Sequence, residues 1–250
     1  MSGGGSRGAL EAGALVALYE AGIQPEILVG TSAGAMNAAG LAVNPSLEGA
    51  RRVADLWANA RQSDFFPGTR LHWLVRLMRG RSLFPSEPLR CVLERQVLHD
   101  KTFGDLEGIR LYITTSNLNT GTLNLYGDQP DASILDAVVC STALPLAFPP
   151  VKLGDWQLAD GAVVANVPLG VAVDKGATEI YILNVGYGGQ LVRDRSSALK
   201  VATRAYQIMM YQQFVLDLRY ASEQPGVTLH HLNMTQFRDV SLWDVGMGAE

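Results

Sequence analysis

Residues Gly30-Thr31-Ser32-Ala33-Gly34 stand between a short apolar run, Ile27-Leu28-Val29, and an alanine-rich stretch over 33–42. The first reads as a buried strand and the second as a helix, so the chain must reverse within a few residues. Gly30 and Gly34 lie two positions to either side of Ser32 and permit a tight, strained turn that holds the serine hydroxyl at the strand's C-terminal edge. A strand joined to a helix this tightly commits the surrounding chain to a layered α/β structure.

The remaining periodicity agrees. Helical patterns cover 7–21, ended by Gly22, and 46–60, 71–79, 88–98, 133–140 and 198–221, with 64–69 expected as a loop. Strand patterns cover 109–115 and 122–126, joined by an Asn119-Thr120-Gly121 turn, then 156–159, 179–185 and 227–232. Strands alternating with helices predict one domain over 1–250, a layered α/β/α fold with a mostly parallel central sheet.

Composition narrows the function. With 48% hydrophobic and 18% charged residues, the 250-residue chain is core-forming. A net charge of −4 argues against a nucleic-acid partner. Cys91 and Cys140 cannot make a disulfide framework or a metal cluster, so a reducing, cytoplasmic setting is the default and no metal or cofactor is expected. Among apolar stretches, 137–151 is interrupted by Pro145, Pro149 and Pro150, so no transmembrane helix is expected.

Two further segments carry chemistry. Gly3-Gly4-Gly5-Ser6-Arg7-Gly8 precedes a helix, and consecutive glycines can turn backbone N–H groups toward one point, which suits a developing oxyanion. The same letters fit G-x-G-x-x-G, but a dinucleotide site needs an acidic residue ending the next strand, where Val29-Gly30-Thr31 stands. Asp160-Gly161-Ala162 supplies a carboxylate at the end of a strand. Taken alone, an aspartate before glycine reads as a turn residue.

These three segments, in this order, resemble the signatures of the patatin-like phospholipase family: a G-G-G-x-R-G loop, G-x-S-x-G, and Asp-Gly-Gly or Asp-Gly-Ala. Softer matches extend the resemblance along the chain, among them 101–106, Thr120-Gly121, 141–145 before Phe148-Pro149-Pro150, and Asn166-Val167-Pro168. The resemblance implies a Ser32–Asp160 catalytic dyad, an oxyanion hole from the amides of Gly4 and Gly5, Arg7 close to the substrate, and structural glycines at Gly3, Gly8, Gly30, Gly34 and Gly161. It implies a phospholipase A or broader lipid acyl hydrolase acting through an acyl-enzyme, with a lipid ester as substrate. Acyl transfer to an acceptor other than water is an alternative, and so is a catalytically weak membrane-docking or scaffold protein of the same fold.

A Ser-Asp-His triad would draw on His230 or His231, but both fall in a strand pattern, which argues against it; His72 and His99 read as surface residues. The segment 71–79 is a basic amphipathic helix. Arg70, Arg76, Arg79 and Arg81 fall within twelve residues that contain no acid. It could contact an anionic lipid surface peripherally or cover the active site, though the simpler expectation is that Leu71, Leu74, Val75 and Met78 pack on the domain and leave the arginines in water. The family's glycine loop follows a buried strand, whereas Met1 and Ser2 precede Gly3 here, and 243–250 resembles the approach to another helix. The chain is therefore expected to be incomplete at both ends.

Overall fold

Side chains on the strands alternate between two separate cores, the physical signature of a sheet covered on both faces. The structure is a computed structural model that describes residues 1–80, 82–94, 100–186 and 198–234. In chain order its elements are α1 (Gly8–Glu20), β1 (Ile27–Gly30), α2 (Ala33–Val43), α3 (Leu47–Asn59), α4 (Gln62–Phe65), α5 (Arg70–Met78) and α6 (Glu87–Leu93). There follow β2 (Arg110–Asn117), β3 (Thr122–Tyr126), α7 (Ile134–Ser141), β4 (Val151–Leu153), β5 (Trp156–Asp160), α8 (Ala162–Ala165) and α9 (Leu169–Asp174). The last three are β6 (Glu179–Asn184), α10 (Ala198–Ser222) and β7 (Thr228–Asn233). Leu28, Leu111 and Ile113 face a core with α1, α2, α3 and α7, while Val29, Tyr112, Ile180 and Ile182 face a second core with α9 and α10. The layered α/β/α fold is as the sequence predicts.

The sheet is mixed where a mostly parallel one is expected: β1 pairs with β2, and β6 with β7, in parallel, while β3 and the β4–β5 hairpin, too local in sequence to need a crossover, add antiparallel pairs. β2 organises the site, because its two halves meet different partners. β1 lies opposite 110–113 and ends with Gly30 across from Ile113, while β5 lies opposite 115–117 and ends with Asp160 across from Thr115. β3 takes the other edge over 113–117. β1 and β5 therefore run head to head along one edge of β2, and their C-terminal ends converge on Thr114.

Several boundaries differ from expectation. Of the loop expected over 64–69, residues 64 and 65 belong to the short helix Gln62–Phe65, where Asp64 Oδ2 accepts the Arg61 N–H at 2.9 Å and closes a helical turn. The helix expected over 88–98 is seen as Glu87–Leu93, and 95–99, with His99, lies outside the described residues. Short elements too brief to carry a period, β4, α8 and α9, were not anticipated. Residues 243–250 also lie outside the described residues.

The expected packing of α5 is reversed. Leu71, Leu74, Val75, Leu77 and Met78 are exposed, while Trp73 packs edge-on against Phe84 at 5.2 Å and Arg76 turns inward to give its Nε–H to the Ser82 carbonyl at 2.9 Å. The indole N–H of Trp73 donates to the Pro67 carbonyl at 3.0 Å. One large aromatic ring and two satisfied hydrogen bonds anchor this face, which hydropathy alone assigns to solvent.

Between β1 and β6 the chain's first residues form a bridge. The Met1 ammonium donates to the Val29 carbonyl at 2.9 Å, Thr31 N–H to the Met1 carbonyl at 3.3 Å, and Ser2 N–H to the Leu183 carbonyl at 3.1 Å. Below Met1 a cavity of about 590 Å³ separates the two strands, lined by Leu15, Ile27, Val29, Leu169, Ile180 and Ile182. Glu11 holds the bridge from α1. Its carboxylate is fully buried and accepts the Ser2 N–H at 2.7 Å, the Ser2 hydroxyl at 3.2 Å and the Asn37 amide N–H at 3.1 Å. Burial pushes the Glu11 carboxyl up to about 7, against the Met1 ammonium and these donors.

Two outcomes are expected. A chain carrying five apolar β-forming residues ahead of Met1 exchanges a buried ammonium for an amide and fills apolar space, so its Tm should rise in thermal denaturation, with equal Tm arguing against a strand-shaped slot. Glu11 holds its proton more tightly folded than unfolded. Its contribution to stability is present below about pH 4.5 and is lost as pH rises through about 7. Glu11→Gln should therefore show a shallower fall in unfolding free energy between pH 5 and 8, read from urea titrations.

Candidate active site

Ser32 sits at the N-cap of α2 with φ 53° and ψ −120°, a region that costs a non-glycine residue about 1–3 kcal/mol. Three bonds hold the turn. Thr31 N–H donates to the Met1 carbonyl, Gly34 N–H to the Ser2 carbonyl at 3.1 Å, and Ser32 N–H to the Ser141 hydroxyl at 2.9 Å. A Cβ on Gly30 would lie 2.4 Å from the Gly34 carbonyl oxygen, and one on Gly34 would lie 2.7 Å from the Met1 carbonyl. Both glycines are therefore required by close backbone approach, as the G-x-S-x-G pattern implies. Thr31 Oγ1 lies 2.6 Å from Thr114 Oγ1 and donates to the Ala165 carbonyl at 2.8 Å, tying the elbow to β2 and α8.

Asp160 arrives from the opposite direction. It is 1% exposed; its carboxylate accepts the Ala162 N–H at 2.8 Å, and the nearby Ser32 side chain also favours its ionised form. Desolvation outweighs both and pushes its carboxyl up to about 7. Ser116 Oγ–H donates to the Asp160 carbonyl at 2.8 Å, and Asp160 N–H to the Ala143 carbonyl at 2.9 Å, so the strand end is fixed at both sides. A Cβ on Gly161 would come within 2.4 Å of the Thr114 carbonyl oxygen, which restricts this position to glycine.

The glycine loop closes the same corner. Gly3 N–H donates to the Asn166 carbonyl at 3.0 Å, and a Cβ on Gly3 would lie 3.2 Å from that of Ser32, so the loop passes directly beside the Ser32 side chain. Among the described residues the N–H groups of Gly4 and Gly5 donate to no protein acceptor. Gly5 adopts φ 58° and opens a 3-10 turn, Gly5–Arg7, that leads into α1. Arg7 gives an Nη1–H to the Val185 carbonyl at 3.3 Å, and Val185 N–H reaches the Ser2 hydroxyl at 2.9 Å, so the loop is clamped to the end of β6. Gly8 is pressed against Trp57, where a Cβ would lie 2.6 Å from the indole.

The histidines stand apart from this corner. His230 stacks on Tyr181 at 4.5 Å and lies 3.2 Å from Glu179, while His231 packs against Phe214 and approaches the Asn184 amide at 3.5 Å. Both are on β7, as the strand pattern predicts, and His72 is exposed with its ring against Thr69. Among the described residues no three His, Cys, Asp or Glu side chains are grouped to hold a metal. No described helix is long and apolar enough to cross a membrane.

Sequence reasoning missed the supporting residues. Ser141 accepts the Ser32 amide N–H, and Glu11 braces the glycine loop through Ser2. Asn37, fixed by the Trp57 indole N–H at 2.7 Å, links that brace to α2. Glu11 and Asn37 were detectable as polar residues inside otherwise apolar helical faces; Ser141 carried no signal beyond its place in the 141–145 segment.

Comparison with known proteins follows the same corner of the fold. The chain is 29% identical over 188 residues to human "Patatin-like phospholipase domain-containing protein 6", covering 74% of this chain and 13% of that protein. It is 30% identical over 187 residues to "Uncharacterized protein YqhO" of Bacillus subtilis, covering 67% of this chain and 64% of the relative. "Neuropathy target esterase sws" of Drosophila melanogaster is 29% identical over 190 residues, covering 74% and 12%. The chain thus spans about an eighth of the length of its animal relatives. Among solved structures, VipD from Legionella pneumophila aligns over 92% of this chain and 56% of its own, with a TM-score of 0.48 and 20% identity. The profile of patatin-like phospholipases matches residues 1–173, a span holding the glycine loop, the elbow and Asp160, and the chain belongs to that family.

Proposed function

We propose that this chain is a serine hydrolase of lipid esters in which Ser32 and Asp160 act as a dyad. The observation that carries the reading is the convergence of the strained Ser32 turn and the end of β5 on Thr114, which sets Ser32 beside a fully buried carboxyl whose pKa is pushed up to about 7. A carboxyl at that pKa is partly ionised at neutral pH, so it can accept the serine proton and still return it. Family membership supports a lipid hydrolase, and the fly relative's name describes an esterase.

In this reading Ser32 Oγ attacks the ester carbonyl while its proton passes to Asp160. Negative charge develops on the carbonyl oxygen, where the amides of Gly4 and Gly5 and the N-terminus of α2 meet it. Collapse of the tetrahedral intermediate breaks the bond to the alcohol, which leaves with the proton from Asp160 and leaves the acyl group on Ser32. Water then gives a proton to Asp160 as its oxygen attacks the acyl carbonyl, and Ser32 departs with that proton restored. Arg7 bonds the Val185 carbonyl and so fixes the loop that bears the oxyanion donors.

A fluorophosphonate probe tests the nucleophile directly, because it reacts with an activated serine. The protein should be labelled at Ser32, and Ser32→Ala and Asp160→Asn should each abolish labelling and lipid-ester hydrolysis. An unlabelled but folded parent would favour the scaffold reading. The pH dependence tests the base. Since the ionised form of Asp160 is the active one, kcat/KM should climb with pH through about 7 and level off above it. Loss of activity on replacing His230 and His231 together with asparagine, to the extent seen for Ser32→Ala, would overturn the dyad.

A further inference from the structure

An unpartnered apolar face lies on α5. On this nine-residue helix Leu71 is 71% and Met78 79% exposed, and Leu74, Val75 and Leu77 are exposed as well. Such a cluster on so short a helix keeps contiguous apolar surface in water, an unfavourable hydration larger than that of a surface leucine standing alone. The helix is nevertheless fixed in orientation, because Trp73 and Arg76 are anchored inward to Pro67, Phe84 and Ser82. It cannot roll its apolar side under without releasing those contacts.

The anchor leads to the active site. Ser82 begins a segment whose Leu83 and Phe84 N–H groups donate to the Leu146 and Ala147 carbonyls at 2.9 and 2.8 Å. The loop carrying Leu146 follows α7, whose last residue, Ser141, holds the Ser32 amide. Leu146 adopts φ 71° and is 67% exposed, an apolar side chain held outward at a backbone angle that leucine rarely takes. The segment 70–81 bears four arginines and no acid, with Arg79 exposed directly after the helix.

We propose that α5 seats the protein on an anionic lipid surface, with Leu71, Leu74 and Met78 entering the headgroup boundary and Arg79 meeting the anionic headgroups. This rests on the lipid-ester reading above and adds to it a docking element, held out by its own anchor rather than folded against the domain. An exposed apolar face followed by the exposed Arg79, in a segment whose sequence holds four arginines and no acid, matches a bilayer of anionic lipid in both polarity and charge. A second copy of the same face would meet it with like charge. Docking through α5 sets the Leu146 loop, and with it the elbow, toward the lipid.

The test is vesicle co-sedimentation of the Ser32→Ala protein, which binds without consuming lipid, on phosphatidylcholine vesicles with and without about a third phosphatidylglycerol. Binding should require the anionic lipid and weaken in high salt. The triple variant Leu71→Ser, Leu74→Ser, Met78→Ser in that background should partition at least about tenfold less, and Arg79→Glu should weaken binding as well. With Ser32 intact, the triple variant should keep its fluorophosphonate labelling and its turnover of a monomeric short-chain ester, which shows that the site and fold survive. Failure of the parent to sediment, undiminished binding by the triple variant, or a dimer lost in that variant and not displaced by vesicles would each overturn the proposal. Binding by a protein that no probe labels would sink the hydrolase reading and support the docking surface; labelling without binding would do the reverse.

Discussion

The whole site depends on two strands ending head to head against Thr114. β2 takes β1 along its first half and β5 along its second, so the serine that follows one strand and the aspartate that ends the other approach from opposite directions. No long loop has to carry either group. Thr114 receives both ends with its own atoms: its hydroxyl meets Thr31 Oγ1 and reaches the Gly30 carbonyl at 3.4 Å, and its carbonyl sits beneath Gly161. The geometry is set by sheet register, the most rigid part of an α/β fold, which is where a site needing sub-ångström placement is best built.

Rigidity at that junction lets the surroundings carry unfavourable features. Ser32 holds a strained backbone angle, and Asp160 and Glu11 are carboxylic acids removed from water. Each is retained because its neighbours over-determine it. The elbow is pinned from the N-terminus, from Ser141 and from β2, and the Glu11 carboxylate is met by three donors. The network from Trp57 through Asn37 and Glu11 to Ser2 joins α3, α2, α1 and the glycine loop, so that loop and the helix that follows Ser32 share one brace.

Much of this was legible from residue spacing, for identifiable reasons. Gly30 and Gly34 flank Ser32 at the interval a sharp turn demands, and Asp160 is followed by the glycine that Thr114 forces. What lies beyond reading is pairing across the sheet: nothing in 109–117 announces that one strand serves two partners in succession. The orientation of α5 fails for a different reason. Hydropathy counts Trp73 and Arg76 by average preference, whereas their polar atoms find the Pro67 and Ser82 carbonyls, and local anchoring overrides the moment of the helix. Short elements such as β4 and α8 are fixed by tertiary contacts and have too few residues to show a period.

The crowding at Gly161, Gly30 and Gly34 has a consequence for how this architecture can decay. A relative that keeps both the serine and the aspartate, but carries a side chain at any of these glycines, must displace backbone to make room for it. Its reactive groups would survive in the alignment while their alignment in space was lost. For the proposed dyad, retention of the serine and aspartate is thus a weaker mark of competence than retention of the three hydrogen-sized gaps around them, and drift toward a purely binding role would be recorded first in the glycines.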